Sequence, residues 1–213
     1  VIKTDSTASA SQQKQKGNYW DSFLNLDFNY DKRNQKFQTT SGFFSNYSVD
    51  LPVLSDTNTL NNTYNYKIFK ELYDENITTL SFLVQSSTSI TGDNIKLSER
   101  LYIPPRKLRG FEAGKVGPKD GSDYVGGNYI STINATSTIP RILENVQNID
   151  VVMFADIGNI WGVDYNSSLE ADEIRSSVGL GMDWLTPIGP LTFSLAHPIT
   201  KADSDVTETF RFN

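Results

Sequence analysis

From Trp20 onward the chain keeps a period of two, and this limits its fold more than any other feature. Leu24, Leu26, Phe28 and Tyr30 alternate with Asn25, Asp27 and Asn29. Tyr47, Val49 and Leu51 repeat the pattern, as do Tyr64, Tyr66, Ile68 and Leu72 more weakly, and Leu80, Phe82 and Val84. Val151, Met153, Ala155 and Ile157 follow; then come Val178, Leu180, Met182 and Trp184; then Leu191, Phe193 and Leu195; and finally Phe210 and Phe212. Residues 126–139 read as a strand by their Ile and Thr content, although their alternation is poor. Successive side chains of a strand point to opposite faces, so each segment has one apolar and one polar face. About nine strands and no convincing helix follow, an all-β antiparallel chain. Such strands need one apolar and one polar environment. A soluble β-sandwich binding module supplies them between two sheets, and a membrane barrel supplies lipid outside and water inside.

Composition removes several classes of function. The longest purely apolar run, Val151 to Ala155, is far short of a membrane helix of roughly 18 residues. A transmembrane barrel escapes that test, because alternation dilutes hydropathy. There is no Cys and only one His, His197, so thiolate chemistry and multi-His metal sites are excluded, and no cofactor or metal is expected. A pI near 4.8 argues against a nucleic-acid partner. A barrel enzyme would have to use His197, with Ser194 three positions earlier. Residues three apart on a strand face opposite ways, which speaks against a Ser–His pair.

The connections favour the barrel. Asp74-Glu75-Asn76 and Thr186-Pro187-Ile188-Gly189 are tight, whereas residues 92–125, 162–173 and 200–206 are longer and polar. Short turns on one side and long loops on the other are expected of outer-membrane barrels, and the alternation here is imperfect, since 32–41 and 140–148 are not short. The polar faces, rich in Asn, Asp, Ser and Thr, suit a wet lumen. Residues 1–18 are polar and read as a loop or frayed end, which leaves 19–213 as the barrel portion. Nine is an odd count where single-chain barrels are usually even. With no initiator Met and a last strand stopping at Phe212-Asn213, both ends are expected to be cut.

A series of motifs in order carries a resemblance. Leu108-Arg109-Gly110-Phe111, followed by Val116-Gly117-Pro118, lies in the longest loop. Gly126-Gly127-Asn128 opens a strand. Phe154-Ala155-Asp156-Ile157-Gly158-Asn159-Ile160-Trp161 and the run from Gly179 to Leu191 come next, then Phe193-Ser194-Leu195-Ala196 and Phe210-Arg211-Phe212-Asn213. Over residues 20–213 the chain resembles the C-terminal barrel of the BamA-type outer-membrane insertases.

The resemblance implies the eighth to sixteenth strands of a sixteen-stranded barrel in the bacterial outer membrane. Loop 92–125 would fold back into the lumen. It implies a non-enzymatic function, the insertion of β-barrel proteins through a lateral gate. The partners would be unfolded barrel clients, outer-membrane lipid and accessory assembly lipoproteins, with Phe210, Arg211, Phe212 and Asn213 in the gate strand. TamA-type assembly factors and two-partner secretion transporters share a similar loop and stand as alternatives.

A long polar loop in a wet lumen gains little from burial, so it needs a directional anchor. Arg109 carries a planar fork that grips a carboxylate with two hydrogen bonds, and Gly110 permits a tight turn beside it before Phe111. Asp156, on the polar face of a strand, is the best acceptor, and the resemblance pairs the two. The family usually adds a Glu as second acceptor. Here that place falls on Thr136, with Asp183 as another candidate.

Overall fold

The computed structural model describes residues 1–6, 8–140, 148–169, 173–187 and 189–212. A four-residue helix, α1 (Ala10–Gln13), precedes the strands β1 (Phe23–Asp31), β2 (Gly42–Pro52), β3 (Thr59–Tyr73) and β4 (Asn76–Ser89). Two dipeptides, β5 (Lys119–Asp120) and β6 (Asp123–Tyr124), make a small hairpin inside the following loop. The sheet resumes with β7 (Tyr129–Thr138), β8 (Ile149–Trp161), β9 (Arg175–Thr186), β10 (Gly189–Thr200) and β11 (Phe210–Phe212).

Nine strands form one antiparallel sheet in the order β1-β2-β3-β4-β7-β8-β9-β10-β11, without a crossover. Each strand pairs with its nearest neighbour along the chain, set aside the β5–β6 hairpin. The register keeps the apolar residues together, with Phe28 opposite Tyr47 and Leu195 opposite Leu180 and Phe210. Among the described residues no second sheet covers that apolar face. Leu24, Phe28, Met153, Leu180, Leu195 and Phe212 are each at least half exposed. A sandwich would bury such residues, so the sandwich expectation is overturned for the described residues.

The opposite face is where burial occurs. Asp156, Arg175, Ser177, Thr132 and Ser194 are almost fully buried there. Polar side chains bridge strands across it, as in Asn25 to Asp50 (2.7 Å) and Ser87 to Asn61 (2.7 Å). The molecule is thus polar inside and apolar outside. On the outer face the rings of Tyr30, Phe43, Tyr66 and Phe82 run across four strands with centroids 5.6, 5.9 and 6.3 Å apart. Tyr129 and Trp161 stack at the other end of the sheet. No helix among the described residues is long and apolar enough to cross a membrane.

The two longest connections, 90–128 and 162–174, leave the sheet at one end, here called the mouth, together with 53–58 and 201–209, while 32–41 lies at the other end. The N-terminal segment is polar, but it is tied down rather than frayed. Ile2 and Gly17 exchange backbone hydrogen bonds, Ser9 and Gln12 cap α1 reciprocally, and Leu97 N–H donates to Gln15 Oε1 (2.6 Å). The longest connection runs from residue 90 to 128, slightly beyond the expected 92–125.

That loop also corrects the expectation of a polar segment with little to bury. Ile103, Leu108, Phe111 and Val116 form an apolar cluster with Ile130 of β7 and Ile160 of β8. Ile130 and Ile160 point inward, beneath the loop. An inner face covered by a loop wants apolar residues, and this is why the alternation of 126–139 looked poor.

Candidate functional site

The loop descends from the mouth along the inner face and places its Arg-Gly-Phe turn against β8. Asp156 lies midway along β8 at an inward position, between Phe154 and Gly158. Its side chain is wholly buried. Arg109 grips it with both arms of the fork, Nε to Oδ2 and Nη2 to Oδ1, each 2.7 Å. The Arg109 backbone N–H adds a bond to Oδ2 (3.0 Å), and Asn134 Nδ2 of β7 donates to Oδ1 (2.9 Å). A buried carboxylate with this many donors, one of them cationic, is charge-compensated.

Two packing features seat the fork. The Arg109 guanidinium carbon stands 3.4 Å from the centre of the Phe154 ring. That ring occupies space opened by Gly179 on the neighbouring strand, where a Cβ would come within 2.5 Å of it. Gly110, the next residue, adopts φ +92°, in the left-handed region that favours glycine. A Cβ there would lie 3.2 Å from Ala196 Cβ and 3.3 Å from Ser177 Cβ. Ser177 Oγ in turn donates to the Arg109 carbonyl. Phe111 is buried in the apolar cluster.

The two expected second acceptors fare differently. Thr136 Oγ1 is 3.4 Å from Arg109 Nη2, a marginal contact. Asp183 does not reach the loop. It sits toward the short-turn end of β9 and accepts from Thr192 (2.9 Å), so it gives Arg109 no second charge. The added partners are neutral, namely Asn134 and the Phe154 ring.

Two arginine–carboxylate pairs in which the arginine side chain is fully buried escaped sequence reasoning. Arg175, at the mouth end of β9, binds Asp205 through Nε (2.9 Å) and Nη2 (3.2 Å), and both side chains are fully buried. Asp205 also accepts from the backbone of Ala202 and Gly117, which ties the last loop to the long one. Arg100 pairs with Asp164, and its guanidinium stands 5.0 Å from the Tyr165 ring. The parity of β9 puts Arg175 on the face of Ser177 and Gly179, a readable signal. Neither Asp205 nor Asp164 lies on a strand, and nothing local marks them as partners.

Phe210, Arg211 and Phe212 make up β11, with the two Phe outward and Arg211 inward. Asn213 lies outside the described residues. Three residues before β11, Thr207 forms an isolated bridge to Phe111. Arg211 reaches back to the long loop, donating to Phe111 O (2.6 Å) and Pro105 O (3.0 Å). Ser194 is inward and buried while His197 is outward and exposed, so they form no pair. Among the described residues no acid, His or Cys cluster could hold a metal.

A model of the Omp85 superfamily domain matches residues 2–213. The outer membrane protein assembly factor BamA of Neorickettsia risticii is 27% identical over 150 residues, covering 68% of this chain and 20% of that protein. BamA of Neisseria meningitidis serogroup B is 29% identical over 133 residues, with 49% and 17% covered. A SAM50-like protein of Schizosaccharomyces pombe is 26% identical over 137 residues, with 60% and 28% covered. The crystal structure of Haemophilus ducreyi BamA lacking POTRA domains 1–3 superposes with a TM-score of 0.80 at 25% identity, covering 89% of this chain and 41% of that one. The chain spans less than a third of the length of these curated relatives.

Proposed function

This chain belongs to the Omp85 superfamily, and from that premise we propose that it forms part of the wall of a bacterial outer-membrane barrel that folds and inserts other barrel proteins, without covalent chemistry. The observation that carries the reading is the inverted sheet. An exposed apolar face crossed by a band of aromatic rings suits lipid and its interfaces, and a hydrogen-bonded polar face suits a lumen. The lumen is occupied by a loop whose Arg-Gly-Phe turn is clamped to the wall at Asp156.

The mechanism uses the sheet's last strand. Among the described residues β11 pairs with β10 at Phe193–Leu195 opposite Phe210–Phe212. Where the other edge of that strand opens in the full-length barrel, its outer N–H and C=O groups form a template for an incoming strand. Addition of a client strand by backbone hydrogen bonding would start assembly with no nucleotide or metal. Accessory assembly lipoproteins are further expected partners.

The test reconstitutes the full-length protein in liposomes and adds a urea-unfolded barrel client. The expected result is a protease-protected, heat-modifiable client, at a rate well above that of protein-free liposomes. Equal rates with and without the protein would sink the reading. Passage of a soluble passenger into the liposome, with no client inserted, would favour a secretion transporter.

A further inference from the structure

Arg211 belongs to the short edge strand, yet its side chain bonds mainly to the long loop. It donates to Phe111 O (2.6 Å) and Pro105 O (3.0 Å), two carbonyls that flank the Arg-Gly-Phe turn, and pairs with Glu208. The backbone just before β11 does the same. Glu208 N–H donates to Gly110 O (3.0 Å), Glu112 N–H to Val206 O (2.9 Å) and Val206 N–H to Lys115 O (3.0 Å), around the Phe111–Thr207 bridge. The loop thus adds a short ladder of its own to the segment that leads into the edge strand.

From this we infer that Arg211 is a positioning residue, which tethers the edge strand to the seated loop and couples the loop's seat to the freedom of that edge. The coupling has a direction. The loop is held by Asp156, by Ser177 and by its apolar cluster, none of which involves Arg211. The described part of β11 has three residue pairs to β10, and the segment leading into it is held by one bond from Ala196 N–H to Thr209 O (2.8 Å) and by the loop. Loss of Arg211 therefore frees the strand and leaves the loop seated, whereas loss of the Asp156 clamp unseats the loop and takes the Arg211 acceptors with it. A planar guanidinium suits the task, because one head group reaches two carbonyls at once. The bearing of this tether on assembly rests on the function proposed above, while the tether itself is measured with no client present.

The experiment is hydrogen–deuterium exchange on the full-length protein in lipid nanodiscs. Arg211→Ala is expected to speed exchange over residues 207–212 about tenfold, as the loss of charge-assisted hydrogen bonds from a locally opening segment would. The Arg109 amide, which donates to Asp156, keeps its protection. Arg109→Ala is expected to speed exchange at both places. Arg211→Lys, which can reach one carbonyl but not both, recovers part of the protection, and it carries the comparison alone should Arg211→Ala not fold. Unchanged exchange over 207–212 overturns the tether. So does equal loosening of the Arg109 amide and 207–212 on loss of Arg211. Selective loosening with unchanged client insertion keeps the tether and overturns its coupling to assembly.

Discussion

Removing Arg109 and removing Asp156 leave different residues behind. Without Arg109, a carboxylate with no exposed surface keeps Asn134 but loses its cation. Without Asp156, the guanidinium is already 12% exposed and keeps the Phe154 ring. Arg109→Ala should therefore cost about 3–5 kcal/mol, as for a broken buried pair, and Asp156→Ala less, about 2 kcal/mol, since the remaining charge can reach water. Thermal unfolding followed by gel mobility would show the order, and the double variant should cost less than the sum. Equal losses would mean that the carboxylate is not buried in solution. Lys107 adds a pH term. Burial first, then the Lys67 and Arg109 charges, push its ammonium down from 10.5 to about 8, against the pull of Asp156. Between those values the unfolded chain holds a proton that the folded chain has released, so stability rises with pH across the window and is flat below about 8. Lys107→Met should abolish that rise, which urea midpoints at the two ends of the window would show.

Strands were legible in the sequence because most keep one apolar face, and the eight segments named from alternation lie in the sheet, as does the one named from its Ile and Thr content. Their lengths were not legible. β3 runs from Thr59 to Tyr73, since toward the mouth its polar residues continue the pairing with β4. The site was half legible. Arg109 and Asp156 stand in recognisable motifs, but Asn134, Arg175 and Asp205 are joined only by the path of the chain in space. The apolar cluster was hidden because Ile103, Leu108, Phe111 and Val116 follow no period in a loop. Two substitutions probe how elements meet. Phe111→Ala should cost about 3–5 kcal/mol of loop seating through the cavity it leaves, with faster exchange of the loop amides and unchanged exchange in β2 and β3. Gly179→Val should be worse, because a Cβ there meets the Leu195 carbonyl as well as the Phe154 ring, and β9 would have to leave β10. A folded Gly179→Val protein with normal thermal stability would contradict that packing.

The whole molecule makes one prediction that no element makes alone. If the apolar face meets acyl chains, tryptophan emission from the full-length protein in bilayers should be quenched by lipids brominated on their chains. Trp184, on the outer face and 37% exposed, should account for much of it, so Trp184→Phe should weaken the quenching. Emission indifferent to bromine would remove the lipid from the outer face. The inward loop also carries a consequence for the order of assembly. Most wall contacts join hairpin neighbours, and the β9–β10 hairpin closes over a turn between Thr186 and Gly189. The β4–β7 pairing spans the long loop, from Ser86 opposite Tyr129 to Thr78 opposite Ser137. The loop clamp joins positions 47 apart, and the Arg211 tether joins positions 100 apart. Contacts that close long stretches of chain form slowly, because their entropy must be spent before any bond is gained. Strands β1–β4 and β7–β11 can therefore each zip hairpin by hairpin, whereas the seam between β4 and β7 closes the long loop and the plug waits until β7, β8 and β9 stand side by side. Such a protein would pass through a state with two runs of wall formed and its lumen still open, and the seating of one arginine would mark a late step of its own folding.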